Sequence, residues 1–421
     1  MKRKNFLAAS AAAGALASGV PRFALAAGPA ATVKIGFLDS FSGVFSDIAA
    51  YHKTGALLAL ADANKKSRVR YEFAYGDDGS KPAQAITELS RLVSQENVDV
   101  IFGGTSSANG LALNAKCPEL GIFNQEVGPQ DSSITGSKAG KLSFRFTPSG
   151  RMCFAPLAQR VLAQGKKWYF VQADYAFGKD GYAELSTILA HAGGTEIGHD
   201  VLPLGTSDFS SALTKIRNSD ADVLMMCLSG QDAANCAKQY VDFGLNKKMK
   251  LAGMNLEDFY YKAISLDTLV GATFPVMWSP DCCDEAQRLT KHLARDISGP
   301  ISWRHYYGYV ACESMIARIN DAGTTSADKL LSAFSGYSFN GYKPSKSTYR
   351  AADHQLQQDV FAGAIVSQKT FAKTKFMYEI VSTLEAAQSD GPPGAPWVKA
   401  AEAAIAAQSI GPRPGYTPKT I

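Results

Sequence analysis

The sequence predicts an α/β protein built as two doubly wound lobes, and three observations carry that prediction. From Val33 onward, short apolar or β-branched runs alternate with helical patterns, the signature of βαβ units around a parallel sheet. After "FRFTPSG" (144–150) the same alternation starts afresh. Beyond a short leader the chain still holds roughly 395 residues, more than one hydrophobic core ordinarily supports.

The leader comes first. Lys2, Arg3 and Lys4 form a basic start, Phe6 to Val20 is apolar and Ala-rich, and Ala24-Leu25-Ala26 offers a small-x-small cleavage site, which together read as an export signal. The apolar run is 15 residues long, short of the roughly 20 that a membrane span needs. "RKNFL" resembles a twin-arginine signal with Lys4 in place of the second arginine, which leaves the export route open. A mature chain cut near Ala26 and free in the periplasm is expected. Cleavage removes Lys2, Arg3, Lys4 and Arg22 and no acid, leaving 39 basic residues against 38 acidic. A near-neutral surface gives no electrostatic case for nucleic acid or an anionic membrane.

The elements then follow in order. Strands are expected at 33–40, 71–78, "VDVIFGG" and "GIFNQ", with helices at 51–66, from Pro82 to about Ser94, and beyond Ser107. The second series has a helix to about Leu162, a strand at 167–174 and a helix from Gly178 to Ala192. It continues with strands at 221–227 and 250–255 around a helix from Gln231 to Phe243. "GATFPVMW" (271–278) leads to a long helix at 306–323, two strands fall within 347–366, and an Ala-, Gly- and Pro-rich tail closes the chain. The seven cysteines are odd in number and lack CxxC spacing, so buried small residues with one or two disulfides are expected, and no zinc site.

"DVIFGGTSSANGLALNAKCPELGIF" (99–123) runs from an apolar strand through two glycines and three hydroxyl residues into a helix. No lysine follows the glycines and GxGxxG is absent, so neither a P-loop nor a dinucleotide turn is present. Two readings remain. Ser106 or Ser107 is a helix cap, or the helix N-terminus and its serines hold a carboxylate at the strand end where open α/β sheets bind ligands.

Six stretches carry a resemblance. "VKIGFLDSFSGVFSDIAAYHKTGALLAL", "GDDGSKPAQAITELSRLV", "VDVIFGGTSSANGLAL", "FRFTPSG", "ADYAFGKDGYAEL" and "SDFSSALTKIRNSDADVLMM" occur in that order behind the leader. From about Val33 to Val366 the chain resembles the type I periplasmic binding proteins of the branched-chain (hydrophobic) amino-acid ABC importers. The resemblance implies two Rossmann-like doubly wound lobes joined by three crossover segments, near 145–149, 272–279 and 347–354. One lobe would comprise 33–146 and 278–349, the other 147–277 and 350–382, with 383–421 as a tail.

It also implies a ligand site. The carboxylate-binding serine falls on Ser107, beside Ser106, and the partner backbone and hydroxyl fall on Gly128 and Gln130, the latter where threonine is usual. The closing aromatic falls on Phe177, with Tyr175 two residues earlier, and the next lining position on Ser229. The acid that pairs with an amino acid's ammonium falls on Asn255, which cannot neutralise a charge. Either the ligand has no ammonium, or Glu126, Asp174 or Glu257 takes the acid's place, because an unpaired buried ammonium costs several kcal/mol in order of magnitude.

Other motifs read more plainly. Asp77 and Asp78 precede Pro82 and mark a turn and helix start. Arg350, Asp353 and His354 lack a GxSxG elbow and fit a hinge lock better than a triad. The histidines show no metal spacing, and "WRHYYGY" (303–309) reads as a helix packed on its lobe, with Trp303 toward the cleft rim. The expected protein is a monomeric, cofactor-free carrier that takes a small carboxylate-bearing molecule and delivers it to the membrane permease of an ABC importer. The alternatives are a sensory binding protein of the same fold, and a nucleotide-dependent enzyme that the missing glycine fingerprints disfavour.

Overall fold

A computed structural model describes residues 31–389 and 394–421; the expected leader lies outside the described residues. The first series comprises β1 (Thr32–Asp39), α1 (Ser46–Lys66), β2 (Arg70–Asp77), α2 (Pro82–Ser94), β3 (Val100–Gly103), α3 (Ser107–Glu119), β4 (Asn124–Glu126) and β5 (Ser143–Arg145). Its five strands lie in the order β2-β1-β3-β4-β5, every neighbour parallel. Both faces are covered, and the period-2 alternation of a strand decides which side chain serves which face. Val100 and Phe102 of β3 join the core shared with α1, while Ile101 between them packs with Leu89, Leu92 and Leu113 of α2 and α3.

The second series comprises α4 (Gly150–Leu162), β6 (Lys167–Ala173), α5 (Ala176–His191), β7 (Thr195–Leu202), α6 (Ser210–Arg217), β8 (Val223–Cys227), α7 (Gly230–Asp242), β9 (Lys250–Gly253) and β10 (Thr273–Val276). The chain then adds α8 (Asp284–Leu293), α9 (Trp303–Ala322), α10 (Ala327–Phe334), β11 (Ser338–Phe339), β12 (Ser347–Tyr349), β13 (Leu356–Gln357), β14 (Val360–Ile365), α11 (Gln368–Thr374), β15 (Tyr378–Leu384) and α12 (Pro396–Ala406). The second sheet has seven strands in the order β15-β14-β10-β9-β8-β6-β7, with β14 antiparallel to both its neighbours. β11, β12 and β13 form a small antiparallel sheet. The fold is therefore two α/β lobes.

α9 returns to the first lobe and lies against α1. The two backbones meet at glycines: a Cβ on Gly55 would sit 2.1 Å from the His305 carbonyl oxygen, and one on Gly308 would sit 2.0 Å from that of His52. Any side chain there would force the helices apart. This contact carries the N-terminus of α9 to the junction of the lobes, which matters for the site.

Several expectations change. α9 starts at Trp303, three residues before the expected 306, because Ser302 caps it by accepting the Arg304 N–H. β7 and β15 were not legible: they are the two edges of the seven-stranded sheet and carry mixed polar patterns. The tail, for which no element was expected, forms α12 and then binds the first lobe, where Tyr416 and Lys419 both reach the buried Asp99. All seven cysteines are free thiols, so the expected disulfides are not formed.

Candidate functional site

The carboxyl ends of strands from both lobes converge on one small cavity, lined by Phe45, Thr105, Ser107, Gly128, Gln130, Tyr175, Phe177, Ser229, Asn255 and Arg304. Seven of the eight positions expected from sequence are brought together there. Ser106 is not among the lining residues. It is the N-cap of α3, yet its side chain makes no capping bond, and its buried Oγ has no partner among the described residues. The cavity is nearly shut, leaving about 10 Å³ open to the centre of a water-sized sphere, room for about one water. A wider groove of about 550 Å³ lies elsewhere, at Ser279, Cys282, Phe361 and Tyr378. None of its lining side chains carries an unpartnered buried polar atom, and so the small cavity is the better candidate.

The first-lobe wall grows from the ends of β1, β3 and β4. β3 turns into α3 through Gly103 (φ +122°) and Gly104 (φ +86°), a left-handed stretch that only glycine adopts without strain. Asp39 then organises the turn: its Oδ1 accepts the Thr105 hydroxyl at 2.8 Å and its Oδ2 meets His52 Nδ1 at 3.0 Å. Burial lowers the His52 pKa despite the nearby Asp39, which favours the neutral ring.

Ser107 is the first residue of α3 rather than its cap. Its Oγ accepts the backbone N–H groups of Gln130 and Asp131, both at 3.1 Å. That leaves the hydroxyl hydrogen free to donate, beside the open N–H groups of the helix's first turn. The backbone role expected of Gly128 is altered, because its N–H donates to the Gly104 carbonyl at 2.9 Å. A Cβ on Gly128 would also meet that oxygen at 2.8 Å. The Gln130 side chain faces two sulfurs, Cys153 Sγ at 3.7 Å and Met277 Sδ at 3.6 Å.

The second-lobe wall comes from the ends of β6, β8 and β9. Tyr175 and Phe177 sit edge to face at 6.2 Å, and Tyr175 also meets Phe45 of the first lobe at 5.9 Å. Asn255 donates through Nδ2 to Ser229 Oγ at 3.3 Å and to Glu257 Oε1 at 3.0 Å.

Sequence reasoning missed Arg304. This side chain is almost fully buried and grips Glu257 with two hydrogen bonds, Nε to Oε2 at 2.9 Å and Nη2 to Oε1 at 2.6 Å. Trp303 Nε1 adds a third donor to Glu257 at 2.9 Å; Trp303 is thus fully buried and Arg304, not Trp303, lines the cleft. Burial would lower the Arg304 pKa, but the Glu257 carboxylate more than reverses that. One signal was available: an arginine in the first turn of a helix opposes the helix dipole and needs an acid elsewhere.

The three acids that could have replaced the missing counter-charge are all accounted for. Glu257 is saturated by Arg304, Trp303 and Asn255. Asp174 pairs with Lys179 at 2.8 Å on an exposed surface. Glu126 is buried, does not line the cavity, and its pKa is pushed up to about 7 by burial. The cavity lining therefore holds a guanidinium and no carboxylate. Elsewhere, Arg350 pairs with Asp353, while His354 turns to the carbonyls of Gly140 and Ser143, so these three do not form a catalytic relay.

A sequence profile described as periplasmic binding protein matches residues 32–370. A Leu/Ile/Val-binding protein homologue of Brucella melitensis is 29% identical over 229 residues, 53% of this chain and 58% of that protein; the chain thus spans little more than half of that relative. A periplasmic binding protein from Burkholderia mallei has a similar structure, with a TM-score of 0.81 at 23% identity, over 89% of this chain and 99% of that one. A solute-binding protein of an ABC transporter from Rhodopseudomonas palustris, solved with 3,4-dihydroxybenzoic acid, gives a TM-score of 0.78 at 16% identity, over 86% and 99% of the two chains.

Proposed function

This chain belongs to the periplasmic binding protein family, on its type I branched-chain amino-acid branch, and from that premise we propose that it carries an organic acid lacking an ammonium group. The observation behind this reading is the charge of the cleft: Arg304 stands in its lining and no free carboxylate does. An α-ammonium placed beside Asn255 would be desolvated next to a guanidinium, with nothing to balance it. A carboxylate faces no such penalty. Ser107 has a free hydroxyl hydrogen, and the N-terminus of α3 adds its dipole and N–H donors.

The body of the ligand is apolar or aromatic. Phe45, Tyr175 and Phe177 supply three rings, and the relative from Rhodopseudomonas palustris was solved with an aromatic acid. Capture proceeds by lobe closure, because the cavity is far smaller than any such acid and entry requires the lobes to part. The chain functions as a cleaved, monomeric periplasmic carrier, delivers its cargo to an ABC permease, and catalyses nothing. Mass spectrometry of small molecules released on denaturing the protein from its native periplasm tests the ligand class. Carboxylic acids without a primary amine are expected. Recovery of stoichiometric amino acid would contradict the reading.

A further inference from the structure

Two atoms in the cleft wall have no partner among the described residues: Arg304 Nη1 and Asn255 Oδ1, both on fully buried side chains that line the cavity. A buried polar atom left unsatisfied costs free energy, so a pair of them around one cavity marks a place where a ligand's polar atom belongs. One atom is a donor and the other an acceptor.

The roles of both atoms are fixed by Glu257. Its carboxylate holds the Nε and Nη2 edge of Arg304, which leaves Nη1 as the edge not engaged. It also accepts from Asn255 Nδ2 at 3.0 Å. Turning the Asn255 amide over would set Oδ1 against a carboxylate that is acceptor-only, so the orientation is locked. The pair therefore asks for a group that both accepts and donates. A second carboxylate accepts from Nη1 but is repelled by Oδ1, an ammonium donates to Oδ1 but is repelled by Arg304, and an ether oxygen satisfies only Nη1. A hydroxyl satisfies both.

We infer that Arg304 and Asn255 form a second polar pole in the cleft, selecting a hydroxyl borne by the ligand away from its carboxylate. Asn255 belongs to the second lobe and Ser107 to the first, so the two ligand oxygens bridge the lobes and favour closure. This inference rests on the carboxylate reading above and specifies its substrate class: a hydroxylated aromatic acid.

Calorimetric titration of the wild-type protein with benzoate, each of the three monohydroxybenzoates and the three methoxybenzoates decides it. At least one hydroxy isomer should bind tenfold or more tightly than benzoate, and its methoxy counterpart should lose that gain. In Asn255→Leu, the preference for hydroxyl over methoxy should fall below threefold. If that variant does not fold, the wild-type series still decides. Equal affinity for benzoate and all hydroxy isomers would overturn the second pole alone, as would a methoxy acid binding as tightly as its hydroxy parent. Failure of every acid to bind the folded protein would overturn the carboxylate reading, and the pole with it.

Discussion

Ser107 shows how one side chain serves structure and ligand together. Its oxygen accepts two backbone N–H groups from the loop after β4, while its hydrogen remains for a ligand. Ser107→Ala therefore strands two buried donors, at about 1–3 kcal/mol each, and removes a hydrogen bond to a charged ligand, worth a tenfold to hundredfold loss of affinity on the order of 1.5–3 kcal/mol. Denaturant unfolding and calorimetry on the same variant should show both losses; unchanged stability would contradict the bracing role. Glu126 allows a second test. Burial raises its pKa to about 7, Arg145 opposing and Asp131 adding, so the fold favours the neutral acid. That stability is fully present below the unfolded value near 4.5 and is lost as pH rises through about 7, at about 1.4 kcal/mol per pH unit. Glu126→Gln cannot ionise and should gain on the wild type between pH 5 and pH 8. Parallel unfolding free energies across that range would contradict it. Hydroxyl residues after a strand were legible from sequence because the turn chemistry is local. Arg304 was not, because its meaning depends on Glu257, 47 positions away.

At the scale of elements, the buried interior strands and the edge strand β2 were legible, and the two edges of the seven-stranded sheet were not. β3 and β8 are buried along their whole length and read as apolar runs, whereas β7 and β15 are partly exposed and lack a clean period. The tail was read as a tail for the same reason: its small residues carry no apolar stripe. Its contribution is polar. Lys419 Nζ reaches Asp99 Oδ2 at 2.6 Å, Tyr416 donates to Oδ1 at 3.0 Å, and Arg413 binds the Val98 carbonyl. Deleting residues 408–421 should destabilise the first lobe by about 1–3 kcal/mol, since Asp99 loses its hydrogen bonds from Tyr416 and the partly solvated Lys419. Differential scanning calorimetry should show a fall of about 2–4 °C per kcal/mol, with ligand affinity within threefold of wild type because the tail does not touch the cleft. An unchanged melting temperature would contradict the clasp.

For the molecule as a whole, the two-lobe plan was visible where the strand and helix alternation restarted, but the residues that hold the lobes together were not. Closure rests on contacts between residues far apart in sequence. Asp47 of α1 accepts hydrogen bonds from Gln231 and Tyr260 across the cleft, both at 2.7 Å, and Tyr51 stacks on Phe259 at 4.1 Å. Asp180 of α5 accepts the Ser132 N–H and hydroxyl at 3.0 Å each. Each contact is lost on opening, so a ligand that bridges the two lobes shifts the population toward closed arrangements. Small-angle scattering should show a smaller radius of gyration with ligand than without; no change with ligand bound would contradict a hinge.

The central claim is that the cleft takes an acid and rejects an ammonium, and matched pairs test it most directly. 3-Phenylpropanoate differs from phenylalanine, and 4-methylpentanoate from leucine, only by the α-ammonium. Calorimetry of all four on the purified mature protein should find each acid bound more tightly than its amino-acid partner, by a hundredfold or more. Tighter binding of phenylalanine or leucine than of the matching acid would contradict the account.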